Sequence, residues 1–276
     1  RVVFTGDLVR SVHDREDRDG KPFTVERGAG IVAAKTMPPN AHGVVDILVP
    51  VYMLGPAGEH ADLDARTRIL AHTAAHEAVH AAIHHLGTEP FDVYRREVFA
   101  YASLQFVAMA SEQVEEHLAE YLSVKVASWG DNSASSLGAA FEAWLETLHV
   151  QLPAIPEDDP EYFSKGMLVT FEALHIVWKA LAYFAAELRD GDSFSDVSDE
   201  IRELETWQEF VEPWWDEYIE LLGEIPMSTT IDIRATDEVV KRLGQHLQNC
   251  ALDVGFDLHD TDQGGWFQIH YPYWQA

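Results

Sequence analysis

The apolar residues of this chain change their spacing near residue 62, and this change constrains the fold more than any other feature of the sequence. The first 55 residues contain β-branched runs separated by charged or Gly/Pro/Asn turns: RVVFTGDLVRSV, PFTVERGAGIVAAKT and GVVDILVPVYML. Such runs predict strands. From about residue 62 onward the apolar residues recur at helical spacing. The sequence therefore predicts an α+β fold that is mainly helical and begins with strands.

The helical spacing continues through most of the remaining chain. Two strand-like runs, TTIDIRA and GWFQIHYPYW, flank the last predicted helix, so strands are expected at both chain ends. We expect two regions, 1–151 and 152–276, packed as one unit. Pro213 either kinks a helix or starts a new one, and Ser111 is expected to cap a helix. The predicted helices lie at about 62–86, 91–109, 111–128, 134–151, 161–189, 197–222 and 237–250.

A run of aromatic residues follows the long helix predicted at 161–189. Its members are spaced by 3, 4, 1 and 3 positions, which is helical spacing: Trp207, Phe210, Trp214, Trp215 and Tyr218. Aromatic stripes at this spacing usually pack in a core. We therefore interpret the run as core rather than as a binding platform.

The charge balance excludes some classes of partner. The chain has 47 acidic and 19 basic residues, for a formal net charge of −28, and would be repelled by nucleic-acid phosphates and anionic membranes. No apolar run without His, Glu or Lys approaches the length of a membrane span. The single cysteine, Cys250, excludes an intramolecular disulfide. We expect no nucleic-acid or membrane partner and a cytoplasmic location, whereas the number of subunits is left open.

The clearest chemical signal lies in the stretch ILAHTAAHEAVHAAIHHLG at 69–87. It contains His76-Glu77-Ala78-Val79-His80, an HExxH motif. On a helix, residues four apart share a face, so the two imidazoles can converge on one Zn²⁺ ion. The glutamate between them is suited to take a proton from the attacking water. The motif thus predicts metal-assisted hydrolysis, with Glu77 as general base.

The other histidines near this motif are expected to have structural or exposed roles. His72 and His84 continue the spacing of four, and His85 and His117 lie nearby in the sequence. Spacing alone does not make them ligands, since a histidine on a helix face is more often packed or hydrated.

A catalytic zinc needs a third protein ligand. The metzincin extension would put it ten residues after the first histidine, but position 86 is a leucine. The later helix SEQVEEHLAEYLS instead offers Glu116 and, one turn on, Glu120. A carboxylate from this helix is therefore the predicted third ligand.

At these motifs the chain resembles the gluzincin-type zinc metallopeptidases, and its strand-rich lead-in to the HExxH helix is similar to that of the ImmA/IrrE group. The resemblance covers about residues 43–125 and implies that region 1–151 is zincin-like. It also implies Zn²⁺, with Glu116 as third ligand and Glu120 as a carboxylate that orients a histidine. The sequence departs from the pattern at Glu120, where the relatives have Asn or Asp.

Two other acids on this helix compete for the role of third ligand. Glu115 points about 100° away from Glu116, and Glu112 lies one turn earlier. We favour Glu116 because the apolar residues Leu118, Ala119 and Leu122 bracket its face better.

Hydrolysis of an amide passes through an oxyanion that a histidine or tyrosine can stabilise. The candidates are His175, which we place with the catalytic residues, and His270, Tyr271 and Tyr121. Sequence spacing does not choose among them.

An iron enzyme is the alternative interpretation of the same residues. Glu77-x-x-His80 and Glu172-x-x-His175 are both ExxH pairs, as in di-iron bundles, and two histidines with a carboxylate can also bind a single non-haem iron. A bundle needs a glutamate-bearing helix before Glu77, where the sequence predicts strands. The favoured hypothesis is a zinc hydrolase that cleaves a peptide or protein substrate. An inactive binding module is also considered, although the intact Glu77 argues against it.

Overall fold

The computed structural model describes residues 1–15, 23–27, 30–54, 63–85, 93–127, 133–156, 161–189, 197–226, 233–262 and 264–270. These residues form a mainly helical α+β fold with strands towards both chain ends, which confirms the predicted class. The chain divides into two compact units. Unit 1 comprises Arg1–Glu89 and Leu118–Asn132, and unit 2 comprises Pro90–His117 and Ser133–Ala276. The division proposed at residues 151 and 152 stays a prediction.

Unit 1 combines short strands with one long helix. Its central sheet has three strands: Ile47–Pro50 pairs in parallel with Val2–Thr5 and antiparallel with Lys35–Thr36. Glu26–Arg27 and Gly30–Ile31 form a separate antiparallel pair. A 3₁₀ turn, Val51–Leu54, follows β5. The elements are β1 (Val2–Thr5), α1 (Leu8–His13), β2 (Glu26–Arg27), β3 (Gly30–Ile31), β4 (Lys35–Thr36), β5 (Ile47–Pro50) and α2 (Leu63–His85).

The prediction of a strand throughout RVVFTGDLVRSV is wrong after Thr5, because α1 begins at Leu8. Asp7 has extended backbone and its carboxylate accepts a hydrogen bond from the backbone N–H of Arg10 at 2.9 Å. That contact is an N-cap, which satisfies one of the unpaired donors of the first helical turn. The buried face of α1 then supplies Leu8 and Val12 to the core of unit 1.

The core of unit 1 lies between α1 and the sheet, where Phe23, Met37 and Leu48 join the two buried residues of α1. Asp46, the residue before β5, is 5% exposed and accepts hydrogen bonds from the guanidinium groups of Arg1 and Arg15. These bonds, chiefly the one from Arg1, lower the pKa of Asp46 to about 2 in spite of its burial. A buried carboxylate is thus kept ionised by two cations.

Unit 2 is built mainly from helices and ends in a hairpin. A π turn, Thr147–Gln151, extends α5, and β6 pairs antiparallel with β7. The elements are α3 (Val93–Arg96), α4 (Tyr101–Val126), α5 (Ser133–Glu146), α6 (Tyr162–Leu188), α7 (Asp199–Arg202), α8 (Glu205–Phe210), α9 (Glu212–Gly223), α10 (Ile233–Asp253), β6 (Phe256–Thr261) and β7 (Gly264–Ile269). Residues 118–126 of α4 belong to unit 1.

The prediction of separate helices at 91–109 and 111–128 is wrong. The structure has the short α3 and then one unbroken α4 that passes through Ser111. Ser111 is 2% exposed, and Ala110 and Val114 beside it are also buried. Continuous packing on both sides of the serine outweighs its modest helix propensity, so it does not act as a cap.

The strand predicted at TTIDIRA is also wrong from Ile233 onward, where α10 begins; residues 227–232 lie outside the described residues. The buried residues of α10 include Thr236, Val240, Leu243 and Leu247. This spacing of three and four is helical, and packing of that face overrides the β-branched composition of the run. The strand predicted at GWFQIHYPYW is confirmed as β7 up to Ile269, and residues 271–276 lie outside the described part.

Four of the five aromatic residues of this run are core, as predicted, whereas Trp214 is partly exposed. Trp207, Trp215 and Tyr218 are at most 3% exposed, and their rings contact one another with centroids 5.0 to 5.7 Å apart. Pro213 lies in the first turn of α9. That position needs no backbone donor, so the proline starts a helix rather than kinking one.

One described helix, α6, is long and apolar enough to cross a membrane by length and composition, with a mean hydropathy of 1.3 over its most apolar window. Because α6 contains Glu172, His175 and Lys179, it is not a run free of Glu, His and Lys. Its buried residues, among them Leu174, Trp178 and Leu181, belong to the core of unit 2, and core helices often meet the same test. The expectation of no membrane partner stays a prediction.

Candidate metal centre

Four histidines recur at every fourth residue of the continuous helix α2: His72, His76, His80 and His84. His72 is buried, whereas His76 and His80 are partly exposed. The Nε2 atoms of His76 and His80 lie 3.1 Å apart, with ring centroids 4.8 Å apart. The HExxH motif thus brings its two imidazoles together, as the helical spacing predicts.

The carboxylate of Glu120, on the part of α4 that belongs to unit 1, lies against the same face of α2. Its Oε2 is 3.1 Å from Nε2 of His72 and 3.2 Å from Nδ1 of His76. Burial, at 5% exposure, would raise the pKa of Glu120, but hydrogen bonds from His72 and His76 outweigh it and hold the pKa below its ordinary value. The carboxylate is therefore ionised and accepts hydrogen bonds from both rings.

This contact determines which nitrogen of His76 carries hydrogen. An ionised carboxylate can only accept, so Nδ1 of His76 is the donor towards Glu120. In a neutral imidazole the other nitrogen then has a lone pair, and that nitrogen, Nε2, is the one that faces His80. Metal-binding histidines in general have this arrangement, in which a carboxylate holds one ring nitrogen and the other binds the ion.

The ligand atoms of His72, His76 and Glu120 lie within 4.8 Å of one another. Imidazole nitrogens are donors that Zn²⁺ takes, and the adjacent Nε2 atoms of His76 and His80 fit the metal that the motif predicts. A spacing near 3 Å also suits hydrogen bonds, which account for both contacts of Glu120.

Glu77, which lies between the two histidines of the motif, contacts the sheet of unit 1. Its Oε2 accepts a hydrogen bond of 2.7 Å from the hydroxyl of Thr36, the last residue of β4. The same hydroxyl lies 3.0 Å from the backbone carbonyl of Glu77. Both residues are buried, at 8% and 5% exposure, so the predicted general base is held in one orientation by a strand residue far away in sequence.

Glu116, the predicted third ligand, lies one turn before Glu120 on α4. Its carboxylate accepts hydrogen bonds from Nζ of Lys179 at 2.5 Å and from the hydroxyl of Tyr183 at 2.6 Å, both on α6. Lys179 and Tyr183 were not foreseen from the sequence. The role of Glu116 as a ligand stays a prediction, as does the ranking of Glu115 below it.

Glu112 and His175 are neighbours in unit 2. Glu112 Oε2 lies 3.3 Å from Nδ1 of His175, and their side chains are 62% and 36% exposed. An ion pair this exposed is weak. The catalytic role assigned to His175 stays a prediction, and so does the di-iron set, whose Glu172 is an exposed residue of α6.

Two of the other candidates for oxyanion stabilisation lie among the described residues. Tyr121 lies in unit 1 with the ammonium of Lys125 over its ring at 4.4 Å. His270, after β7 in unit 2, has its Nε2 3.6 Å from Asp257, and Tyr271 lies outside the described residues. None of these contacts selects an oxyanion stabiliser.

The histidines expected to be structural have varied surroundings. His117 is fully buried in unit 2, where Nδ1 lies 3.1 Å from the carbonyl of Ala182 and Nε2 lies 3.0 Å from the guanidinium of Arg189. His85 is exposed at the end of α2. His72 is buried too, but it contacts Glu120 and so adjoins the candidate site. Its spacing of four from His76 was the one sequence signal for this position.

No sequence signal linked Thr36 to Glu77, because the two residues are 41 positions apart.

Comparison of the chain with protein-family models, with curated proteins and with solved structures finds no match. The case for a function therefore depends on the motif and on the geometry of its side chains.

Proposed function

We propose that this chain is a zinc-dependent hydrolase of peptide bonds, in which His76 and His80 bind the metal and Glu77 is the general base. The observation that carries the proposal is the 3.1 Å separation of the two Nε2 atoms. Two nitrogens bound to one tetrahedral zinc at about 2.0 to 2.1 Å would be about 3.3 Å apart. The side chains of α2 thus need little rearrangement to hold an ion.

The contact of Glu120 with His76 supports the same assignment. By holding the hydrogen on Nδ1, the carboxylate leaves the Nε2 lone pair directed towards His80. Glu116 is proposed as the third ligand because it lies one turn from Glu120 on an unbroken helix, where residues four apart share a face. Its charge is balanced by Lys179 in unit 2.

A bound zinc would supply a Lewis acid for the substrate carbonyl and would acidify a water molecule towards a pKa of about 7. Glu77 takes a proton from the attacking water on Oε1 as the water oxygen bonds to the carbonyl carbon, while the hydroxyl of Thr36 holds Oε2. Glu77 then gives the proton to the leaving amine, so that the peptide bond breaks and the base is regenerated. Because Glu77 is buried, bulk water has little access to its carboxylate.

The central test compares Glu77→Gln with the parent protein. We expect the variant to bind as much zinc as the parent but to lose at least about 100-fold in activity, because the amide cannot accept the proton. Activity is measured as new peptide termini, identified by mass spectrometry, in a peptide library made from a proteome digest. Glu142→Gln, at an exposed position of α5, is the matched control and should retain full activity.

Two results would contradict the proposal. A parent protein that binds no zinc would show that the 3.1 Å contact is only a hydrogen bond between rings, and one that binds zinc but cleaves nothing would favour an inactive module. Metal analysis of protein purified without added metal addresses the iron alternative. Stoichiometric iron with little zinc would replace the hydrolase with an oxygenase or hydroxylase.

A further inference from the structure

His72 makes two hydrogen bonds although it is almost completely buried, at 1% exposure. Its Nδ1 lies 2.8 Å from the carbonyl oxygen of Ala127, just beyond the end of α4. Its Nε2 lies 3.1 Å from Oε2 of Glu120. Both ring nitrogens therefore face oxygen atoms of the segment 118–127, and the ring spans the distance between α2 and that segment.

The two acceptors fix the role of the ring. The carboxylate of Glu120 faces Nε2 of His72, and the carbonyl oxygen of Ala127 faces the other ring nitrogen. The ring therefore links Glu120 to the end of α4.

Glu120 in turn faces His76 with the same oxygen, Oε2. Three side chains thus form a chain of hydrogen bonds, from His72 to Glu120 to His76, that ends at the Nε2 atom facing His80. A buried carboxylate with two donors has far fewer available orientations than one with a single donor. The direction in which Glu120 points is thus set by His72 as well as by His76.

We propose that His72 is a positioning residue for the metal centre: through Glu120 it holds His76 in the tautomer with hydrogen on Nδ1 and so presents Nε2 to the ion. The statement about metal rests on the function proposed above, whereas the statement about the tautomer does not. Residues that orient a metal ligand in this way commonly change metal affinity by about 10- to 100-fold when they are replaced.

The experiment compares the parent with His72→Phe and His72→Gln. Phenylalanine keeps an aromatic ring but has no donor, whereas the glutamine amide can still donate to Glu120. Zinc affinity is measured by competition with a chromophoric chelator, and the ligand set is followed by the visible absorption of the cobalt-substituted protein. His85→Phe, which changes an exposed histidine of the same helix, is the control.

We expect one zinc per parent chain. His72→Phe should weaken zinc binding by about 10- to 100-fold while the cobalt spectrum keeps the bands of the parent, because the ligands themselves are unchanged. His72→Gln should recover part of the affinity, and His85→Phe should leave it unchanged. Two ions per chain would overturn the inference, because His72 would then be a ligand in its own right.

A second measurement is independent of metal. The ¹⁵N shifts of the His76 ring in the metal-free parent should report hydrogen on Nδ1, and His72→Phe should show a mixture of tautomers. If the parent gives these spectra but binds no zinc, the positioning role stands and the proposed function fails. If the parent binds zinc but neither its affinity nor the tautomer changes in folded His72→Phe and His72→Gln, the positioning role is overturned and the proposed function stands.

Discussion

At the scale of single residues, the two contacts of the Thr36 hydroxyl show how a general base can be held. Oxygen Oε2 of Glu77 accepts from a hydroxyl on a strand of unit 1, so the carboxylate does not depend on its own helix for orientation. Because proton transfer is sensitive to distance and angle, a base that rotates freely is a poorer base.

Thr36→Val should therefore lower kcat by roughly tenfold, a fraction of the 10²- to 10⁴-fold that a positioned base contributes. KM and zinc content should not change, because neither the substrate nor the metal contacts the hydroxyl in the proposed mechanism. Thr36→Ser restores the hydroxyl and should restore kcat. Steady-state assays on one peptide cleaved from the library check this prediction, and a valine variant with parental kcat would contradict it.

The identity of the third ligand can be tested by replacing single residues of α4. Glu116→Ala should weaken zinc binding by at least about 100-fold, because a ligand is lost. Glu115→Ala, one position away and about 100° around α4, should leave the affinity nearly unchanged. Competition with a chelator measures both. Reversed results would assign the ligand to Glu115, and no effect in either variant would place the third ligand elsewhere.

At the scale of secondary-structure elements, the end of α9 depends on Arg189, the residue that follows α6. Arg189 donates to the carbonyl oxygens of Leu222, Gly223 and Ile225 at 2.9 Å each. The last carbonyls of a helix have no partner within the helix. The guanidinium supplies these partners, and its charge also favours the negative end of the helix dipole.

Arg189→Met should lower the free energy of unfolding by about 2 to 4 kcal/mol, since it removes a charged donor from three carbonyl oxygens, of which those of Leu222 and Ile225 are partly buried. Urea denaturation measures the loss. Arg242→Met is the matched control, because Arg242 pairs with Glu224 at the same end of α9 but is half exposed. Removing an exposed pair should cost less than about 1 kcal/mol. Equal losses in the two variants would contradict the capping role.

At the scale of the whole molecule, the two units do not follow the order of the chain. Unit 1 takes its strands and α2 from the first 89 residues and adds 118–132. This added segment brings Glu120 to His72 and His76 across 48 and 44 sequence positions. A division read along the sequence cannot find such a unit, because composition shows where apolar residues recur but not which of them meet.

Patterns among residues close together in the sequence were sufficient to predict part of this structure. The period of the apolar residues predicted α2, α5 and α6 closely, and HExxH on a helix predicted that His76 and His80 converge, because neighbours four apart on a helix need no other element. Sequence reasoning failed where a local signal was outweighed by packing, at Ser111 within α4 and at Ile233 in α10. The high content of acidic residues also concealed which carboxylates matter, since charge alone does not separate a buried Glu120 from an exposed Glu112.

The sequence by itself determined the fold class and the convergence of His76 and His80 on one face of α2, because these depend on residues close together in the chain. Only the tertiary structure decided that Thr36 holds Glu77, that Lys179 and Tyr183 hold Glu116, and that His72 joins Glu120 to His76. Each of these contacts links residues 41 to 67 positions apart. Their partners are selected by the packing of whole elements, and no spacing along the chain encodes that choice.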